Sequence, residues 1–286
     1  MRINRRLDYP LAHRSVKQNV PIKEQDMYLS QEQLEEFNNN GFLVIPNLFS
    51  AEEVAEIRSA MDRVFDEDHP GNIREKKSGV VRTAMGLHLR DETFARLVRH
   101  PRLVSPAQQI AGKDLYVQQV KINVKAAFDG ELWQWHQDFS THHEDDGCPE
   151  PLALNLHIFL DDVTEFNGPL YFFKGSQKFG SVATRHDTVS TSYPLWVVEE
   201  DKVREISKSC SLVSATGEAG TALIFGDCLV HGSPANISPS NRSIFSLILN
   251  PLSNAYTKTN REDFRHHRDL SAVEPLADDC LLAPTD

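Results

Sequence analysis

The pair His-x-Asp occurs three times in this sequence: His136/Asp138, His143/Asp145 and His267/Asp269. With a second histidine, such a pair makes a two-histidine, one-carboxylate face. That face holds non-haem Fe(II) and leaves positions open for a cosubstrate and oxygen. A single pair is equally at home as a solvated surface motif, so context must separate the three. His143 and Asp145 lie in "HHEDDGCPEP", a polar turn in which Glu144 and Asp146 also fall. His267 and Asp269 lie in "REDFRHHRDL", and no histidine follows them. His136 and Asp138 lie in an aromatic run, Trp133 to Phe139, that reads as a strand. Side chains at i and i+2 of a strand share a face. His231, in "FGDCLVHGSPANISPSNR" after the apolar run "TALIF", supplies the second histidine. Arg242 stands eleven residues further on. A guanidinium fork returning across a hairpin would grip the far carboxylate of a dicarboxylate bidentately. The spacing alone is weak, since His88 and Arg99 share it. The ordered set of four is more specific.

These residues need strands to position them, and the second half of the chain offers many. From Leu115 onward, "LYVQQVKINVKA", "ELWQWHQDF", "LALNLHIFLDD", "PLYFFKGS", "TALIFGD" and "SIFSLILN" alternate with Gly, Pro, Asn and Asp clusters. Helices dominate before that. "SQEQLEEF" and "SAEEVAEIRSAMDRVF" each open with a capping box, Ser30/Gln33 and Ser50/Glu53. Val54, Ile57, Met61, Val64 and Phe65 form one apolar stripe on the second. The strand "GFLVIP" separates them. "DETFARLVRH" reads as a third helix stopped by Pro101, and residues 104–111 as a fourth. Helices followed by strands predict a mainly β fold, a helical layer on an antiparallel jelly roll. The expected division is an irregular lead-in over 1–29 and one domain over 30–270. Within it lie a helical layer at 30–112, a jelly-roll core at 115–250 and a lid or insertion at 181–209. An acidic tail or wrap follows at 271–286.

Composition narrows the function further. A formal net charge of -11 argues against a general nucleic-acid binder. The four cysteines are scattered with no CxxC pair, so neither a thiolate zinc site nor a redox motif is indicated. No apolar run approaches the ~20 residues of a membrane span. "MRINRRLDYP" lacks the apolar core of a signal peptide. A cytoplasmic protein, monomer or homodimer, is expected, binding a small molecule and neither nucleic acid nor membrane.

The stretches "VRHPRLVSPAQQIAG", "YVQQVKINVKA", "WQWHQDF", "EDDGCPEP", "NGPLYFFKGS" and "VHGSPANISPSNR" together resemble the phytanoyl-CoA dioxygenase superfamily of Fe(II)/2-oxoglutarate oxygenases. Within it, they are most similar to the bacterial proline trans-4-hydroxylase and ectoine hydroxylase group. The resemblance covers roughly residues 81–250. It implies a double-stranded β-helix, a cupin-like jelly roll, with His136, Asp138 and His231 as iron ligands. It implies Arg242 as the partner of the 2-oxoglutarate C5 carboxylate, with Asn123, Asn155 and Ser233 also at the cosubstrate. Gln119, Lys121, His142 and His157 become substrate contacts. Period-2 alternation around Gln119, Lys121, Asn123 and Lys125 by itself says only that one face is polar; Lys121 and Lys125 stay open between site and rim.

The sequence departs from the resemblance in three places. Gly175-Ser176-Gln177 replaces a Gly-Ser-His that carries no ligand. His142 stands where ectoine hydroxylases have a tryptophan walling the substrate. His157 stands where close relatives have a small residue, and reads either as a core histidine or as an added pocket group. These departures bear on the substrate more than on the reaction. The reaction implied is hydroxylation of an unactivated carbon of a small free amino acid or derivative, with O2 consumed and succinate and CO2 released. Asp138 argues against halogenation, which needs that coordination position for chloride. The alternatives are the same chemistry on a larger natural-product intermediate, a zinc-dependent hydrolase using Glu144 to Asp146 as general base, and a non-catalytic jelly-roll binding protein.

Overall fold

The computed structural model describes residues 27–283. Most of the expected lead-in and the last three residues of the expected tail lie outside the described residues. The chain opens with α1 (Gln31–Asn40), β1 (Phe42–Ile45) and α2 (Ala51–Phe65). Both capping boxes form: Ser30 and Ser50 each accept from the N3 amide, and Gln33 and Glu53 each accept from the cap amide. Each satisfies two helix-end donors that would otherwise be orphaned.

Two short strands follow that the sequence pattern does not reveal, β2 (Asn72–Arg74) and β3 (Val81–Met85). Next come α3 (Glu92–Leu97) and α4 (Pro101–Ala111). Pro101 opens α4 rather than merely ending α3, because a missing N–H costs nothing at the first helical position. The rest is β4 (Leu115–Lys125), β5 (Trp133–His136), α5 (Asp138–Glu144), β6 (Leu154–Phe159) and β7 (Leu170–Phe173). Then come β8 (Thr184–Asp187), β9 (Leu195–Val198), α6 (Glu200–Ile206), β10 (Leu212–Ala215), β11 (Ala222–Gly226), β12 (His231–Ser233) and β13 (Arg242–Pro251).

A large sheet runs in the order β1-β11-β6-β13-β4-β3-β2, and a smaller one in the order β10-β7-β12-β5. Their pairings are antiparallel. The two sheets face each other across Phe42, Phe172, Phe225 and Ile244, with Phe42 stacked on Phe172 at 4.9 Å. This is the jelly-roll architecture expected. The outer face of the large sheet carries the helical layer. Val120, Ile122 and Phe245 pack there against Val54, Ile57 and Phe94. Burying each such side chain contributes about 1.5–3 kcal/mol. The alternation on β4 therefore has a clear meaning: its apolar side meets the helices, and its polar side faces the space between the sheets.

Two local expectations need correction. The run Trp133–Phe139 is not one strand: β5 stops at His136 and Asp138 opens α5. A carboxylate suits a first helical turn, where the dipole is positive. The turn at 143–146 is not uniformly wet, since Asp146 is fully buried and accepts from Arg261 and Gln118. Of the tail or wrap expected from residue 271 onward, the described part, 271–283, is the wrap, a strap rather than a loose tail. Val273, Cys280 and Leu281 enter the helical-side core, and Arg96, Arg99 and Arg102 hold the strap's backbone or side chains. Residues 181–209 hold the β8–β9 hairpin and α6, packed beside the smaller sheet.

Candidate metal centre and pocket

Strand register brings the two histidines together. β12 pairs with β5 so that His231 lies opposite His136, their ring centroids 4.0 Å apart. Each ring is oriented by its own backbone. His136 Nδ1 lies 2.7 Å from the Gln134 carbonyl, and His231 Nδ1 lies 2.9 Å from that of Leu229. A carbonyl can only accept, so each Nδ1 carries the proton and each Nε2 lone pair is free to ligate.

Asp138 completes the set from the first turn of α5. Its oxygens lie 3.7 Å from His136 Nε2 and 3.6 Å from His231 Nε2. Those separations are too long for hydrogen bonds but suit three donors sharing one ion, and the three atoms lie within 4.8 Å of one another. Burial, with His231 alongside, pushes His136 down to about 3. Burial opposes ionisation of Asp138, but His231, Lys121 and His136 outweigh it and hold the carboxyl below its usual range. Two neutral imidazoles and one carboxylate are the donor set a divalent iron requires. Asn155 Nδ2 donates to Asp138 Oδ2 at 2.8 Å, so this amide orients the carboxylate. Gln137, between the candidate ligands His136 and Asp138, is buried and donates to both the Cys228 and Gly180 carbonyls. Nothing in the sequence marked it.

The pocket beside this cluster lies between the sheets. Its wall includes Thr83, Gln119, Lys121, Asn123, Trp133, His142, His157, Tyr193, Arg242 and Arg261. It opens to solvent at one mouth, and about 760 Å³ of non-atom space lies within it and that mouth together. Arg242 is buried at one end. Its Nε donates to the Gly168 carbonyl at 3.0 Å and its Nη2 to Ser233 Oγ at 3.2 Å. Gly168 has φ 81°, and a Cβ there would meet Lys125 Cδ at 2.6 Å, so only glycine brings that carbonyl so close. Burial, with Arg82 nearby, lowers Arg242 to about 9, which still leaves it charged near neutrality.

Asn123 stands beside Arg242 on the wall and accepts from Thr83 Oγ1 at 3.0 Å. Lys125, left open between site and rim, belongs to neither. It is buried behind the wall, and its Nζ donates to the Glu131 carbonyl at 2.7 Å and to that of Pro234. Next to it, Arg82 bridges Glu75 and Glu131 at 3.2 and 3.1 Å and lies over the Trp133 ring.

Towards the other end, Lys121 Nζ donates to Gln119 Oε1 at 2.8 Å, and Gln119 Nε2 donates to the Arg265 carbonyl at 2.6 Å. His142 Nδ1 lies 2.9 Å from Asp227 Oδ1 but off the hydrogen-bond line. Burial would lower His142, and Asp227 outweighs it and raises it. His157 does face the pocket, edge-on to Phe225 at 4.9 Å, with its Nδ1 unpartnered. Burial pushes it far below its usual value, so it stands neutral. Sequence reasoning missed Thr83, Trp133, Tyr193, Leu195, Asp227 and Arg261. Arg261 even lies in the segment set aside for its unproductive His-x-Asp.

A zinc hydrolase would need a general base here. Asp138 is the one carboxylate on the pocket wall among the described residues. Of the three turn acids, Asp146 binds Arg261, Asp145 accepts from Trp196 Nε1, and Glu144 is exposed. That alternative has no base to use.

The family model for phytanoyl-CoA dioxygenase matches residues 37–244, which contain the whole cluster and Arg242. The chain belongs to the phytanoyl-CoA dioxygenase family. It is an Fe(II)/2-oxoglutarate-dependent dioxygenase, with iron and 2-oxoglutarate as cofactor and cosubstrate. It is 34% identical to the L-proline trans-4-hydroxylase of Streptomyces griseoviridis, over 86% of this chain and 95% of that protein. It is 35% identical to the ectoine dioxygenase of Stutzerimonas stutzeri, over 87% of this chain and 83% of that one. Among solved structures, EctD from S. alaskensis with bound Fe matches with a TM-score of 0.76 and 29% identity, covering 92% of this chain and 90% of that one. EctD with 2-oxoglutarate and 5-hydroxyectoine matches with a TM-score of 0.74 and 29% identity, covering 93% and 89%. No described helix is long and apolar enough to cross a membrane.

Proposed function

We propose that the protein hydroxylates an unactivated carbon of a small amino acid or amino-acid derivative, related to proline or ectoine, and releases succinate and CO2. The observation that carries this reading is the convergence of two backbone-oriented histidines, one carboxylate and a buried arginine on one pocket. In this reading His136, Asp138 and His231 hold the iron. When bound, iron activates oxygen against a C–H bond as 2-oxoglutarate is decarboxylated.

The chain's own residues do the positioning. Arg242 grips the far carboxylate of 2-oxoglutarate, its fork fixed by Ser233 and the Gly168 carbonyl. Asn123 offers its amide N–H to the same cosubstrate, since its oxygen is already occupied by Thr83. Asn155 acts through Asp138 rather than on the cosubstrate. Gln119, Lys121, His142 and His157 line the substrate space. The β8–β9 hairpin serves as a lid: Tyr193 and Leu195 reach the pocket, and Ser192 N and Trp196 Nε1 latch it to Glu131 and Asp145. Closing it excludes water from the reacting centre. Four unpaired cysteines favour a reducing, cytoplasmic setting.

The test is a panel of free amino acids, cyclic amino acids and ectoine, incubated with Fe(II), 2-oxoglutarate and ascorbate. A mass gain of one oxygen, matched by succinate, is expected for one compound class. Hydrolysis supported by Zn(II), with no succinate from any compound, contradicts the proposal.

A further inference from the structure

The charges at the pocket can be paired off, and one remains. Arg261 is answered by Asp146, to which both Nε and Nη2 donate. His142 is answered by Asp227. Behind the wall, the carboxylates of Glu75 and Glu131 answer Arg82, while Lys125 rests on the Glu131 and Pro234 carbonyls and burial pushes it well below its usual value. With iron and 2-oxoglutarate in place, as the reading above has them, the ion and Arg242 are met by Asp138 and the two cosubstrate carboxylates. Lys121 is left over.

Among the described residues no carboxylate lies within ion-pair distance of Lys121. Its Nζ rests on a neutral oxygen, Gln119 Oε1, at 2.8 Å. Gln119 cannot turn away, because its Nε2 is anchored to the Arg265 carbonyl at 2.6 Å. The ammonium is therefore held in place with no carboxylate in contact, Asp138 feeling its charge only at a distance. It also points away from the cosubstrate clamp. Arg242 pairs with Lys125 across β4 and β13, and Lys121 lies four residues further along the same strand, roughly 13 Å. The opposite charge is missing as well: the one carboxylate on the wall, Asp138, is assigned to the metal. Among the described residues no other acid waits there for a substrate ammonium.

We infer that Lys121 receives the carboxylate of the substrate, and that this carboxylate, rather than a cationic nitrogen, is what the pocket selects. The substrate class is a small carboxylic acid, its nitrogen met by uncharged groups such as Gln119, Thr141 and Tyr193. The inference rests on the hydroxylase reading and narrows it.

The experiment compares L-proline with two near-isosteric probes, L-prolinamide, which lacks the carboxylate charge, and cyclopentanecarboxylate, which lacks the nitrogen. It reads kcat/KM for oxygenated product and for succinate, in the wild type and in Lys121→Met and Lys121→Arg. A charge-assisted contact predicts that prolinamide is worse than proline by about 10–100-fold in the wild type. Cyclopentanecarboxylate should lose less than prolinamide does. In Lys121→Met the acid-to-amide preference should shrink to within about threefold, mainly through KM for the substrate, and Lys121→Arg should restore most of it. Retention of the preference in Lys121→Met overturns the inference. So does a larger loss for cyclopentanecarboxylate than for prolinamide, or a Lys121→Met defect that falls on KM for 2-oxoglutarate. Succinate from none of the three probes in the wild type, with succinate from another compound that lacks a carboxylate, overturns it and leaves the hydroxylase reading standing. Succinate from no compound at all overturns both.

Discussion

Asn155 and Arg242 are each held by well-defined contacts, Asn155 to Asp138 and Arg242 to Ser233 and the Gly168 carbonyl, so each can be tested by one substitution. Asn155 touches the Asp138 carboxylate. Residues that orient a metal ligand typically contribute 10–100-fold to affinity, so Asn155→Ala should weaken Fe(II) binding by about that factor in an anaerobic titration. Arg242→Lys keeps the positive charge and loses the planar fork. Its KM for 2-oxoglutarate should rise by about 10–100-fold, the value of a charge-assisted hydrogen bond. The four residues His136, Asp138, His231 and Arg242 were legible in the sequence because an ordered spacing carries them. Arg261 and Asp227 were not. Arg261 meets Asp146 across 115 residues of sequence, and no local pattern encodes a contact of that range. Asn155 was legible as a polar residue near the site, but its contact with the Asp138 carboxylate came only with the fold.

At the scale of single elements, the start of α2 combines a cap with a buried acid. Ser50→Ala should destabilise the protein by about 1 kcal/mol, measured by chemical denaturation. Glu53, at the third position of that helix, is held at about 2 from an ordinary value of 4.5. Burial alone would raise it, and His100, Arg102 and the Ser50 amide outweigh burial. Its ionised form therefore favours the folded state above about pH 4.5, and that contribution fades as pH falls from there through about 2. The melting temperature of Glu53→Gln should lie below wild type at neutral pH, with the gap closing as pH drops across this window. The hairpin makes a separate prediction. Trp196→Phe removes the Nε1–H bond to Asp145 and should raise hydrogen exchange in β8 and β9, with a higher KM for substrate. Caps and the alternation of β4 were readable because they are local. The entry into α5 and the β8–β9 hairpin were not, since tertiary contacts to Asp227 and Asp145 decide them.

At the scale of the molecule, a jelly roll is enclosed by helices on one side and closed by its own chain end. The strap at 271–283 covers the helical layer, with Val273 and Leu281 in the core and Asp278 on Arg102. Truncation after residue 270 exposes that core, and at about 1.5–3 kcal/mol per buried side chain the loss should exceed roughly 3 kcal/mol in denaturant unfolding. The central claim, however, concerns chemistry. It is tested most directly by turnover under heavy-oxygen gas with Fe(II), 2-oxoglutarate and the best acid of the substrate panel. The account predicts one heavy oxygen atom in the hydroxylated product and one in succinate, formed in equal amounts. Product oxygen drawn from water, or product formed without succinate, would contradict it.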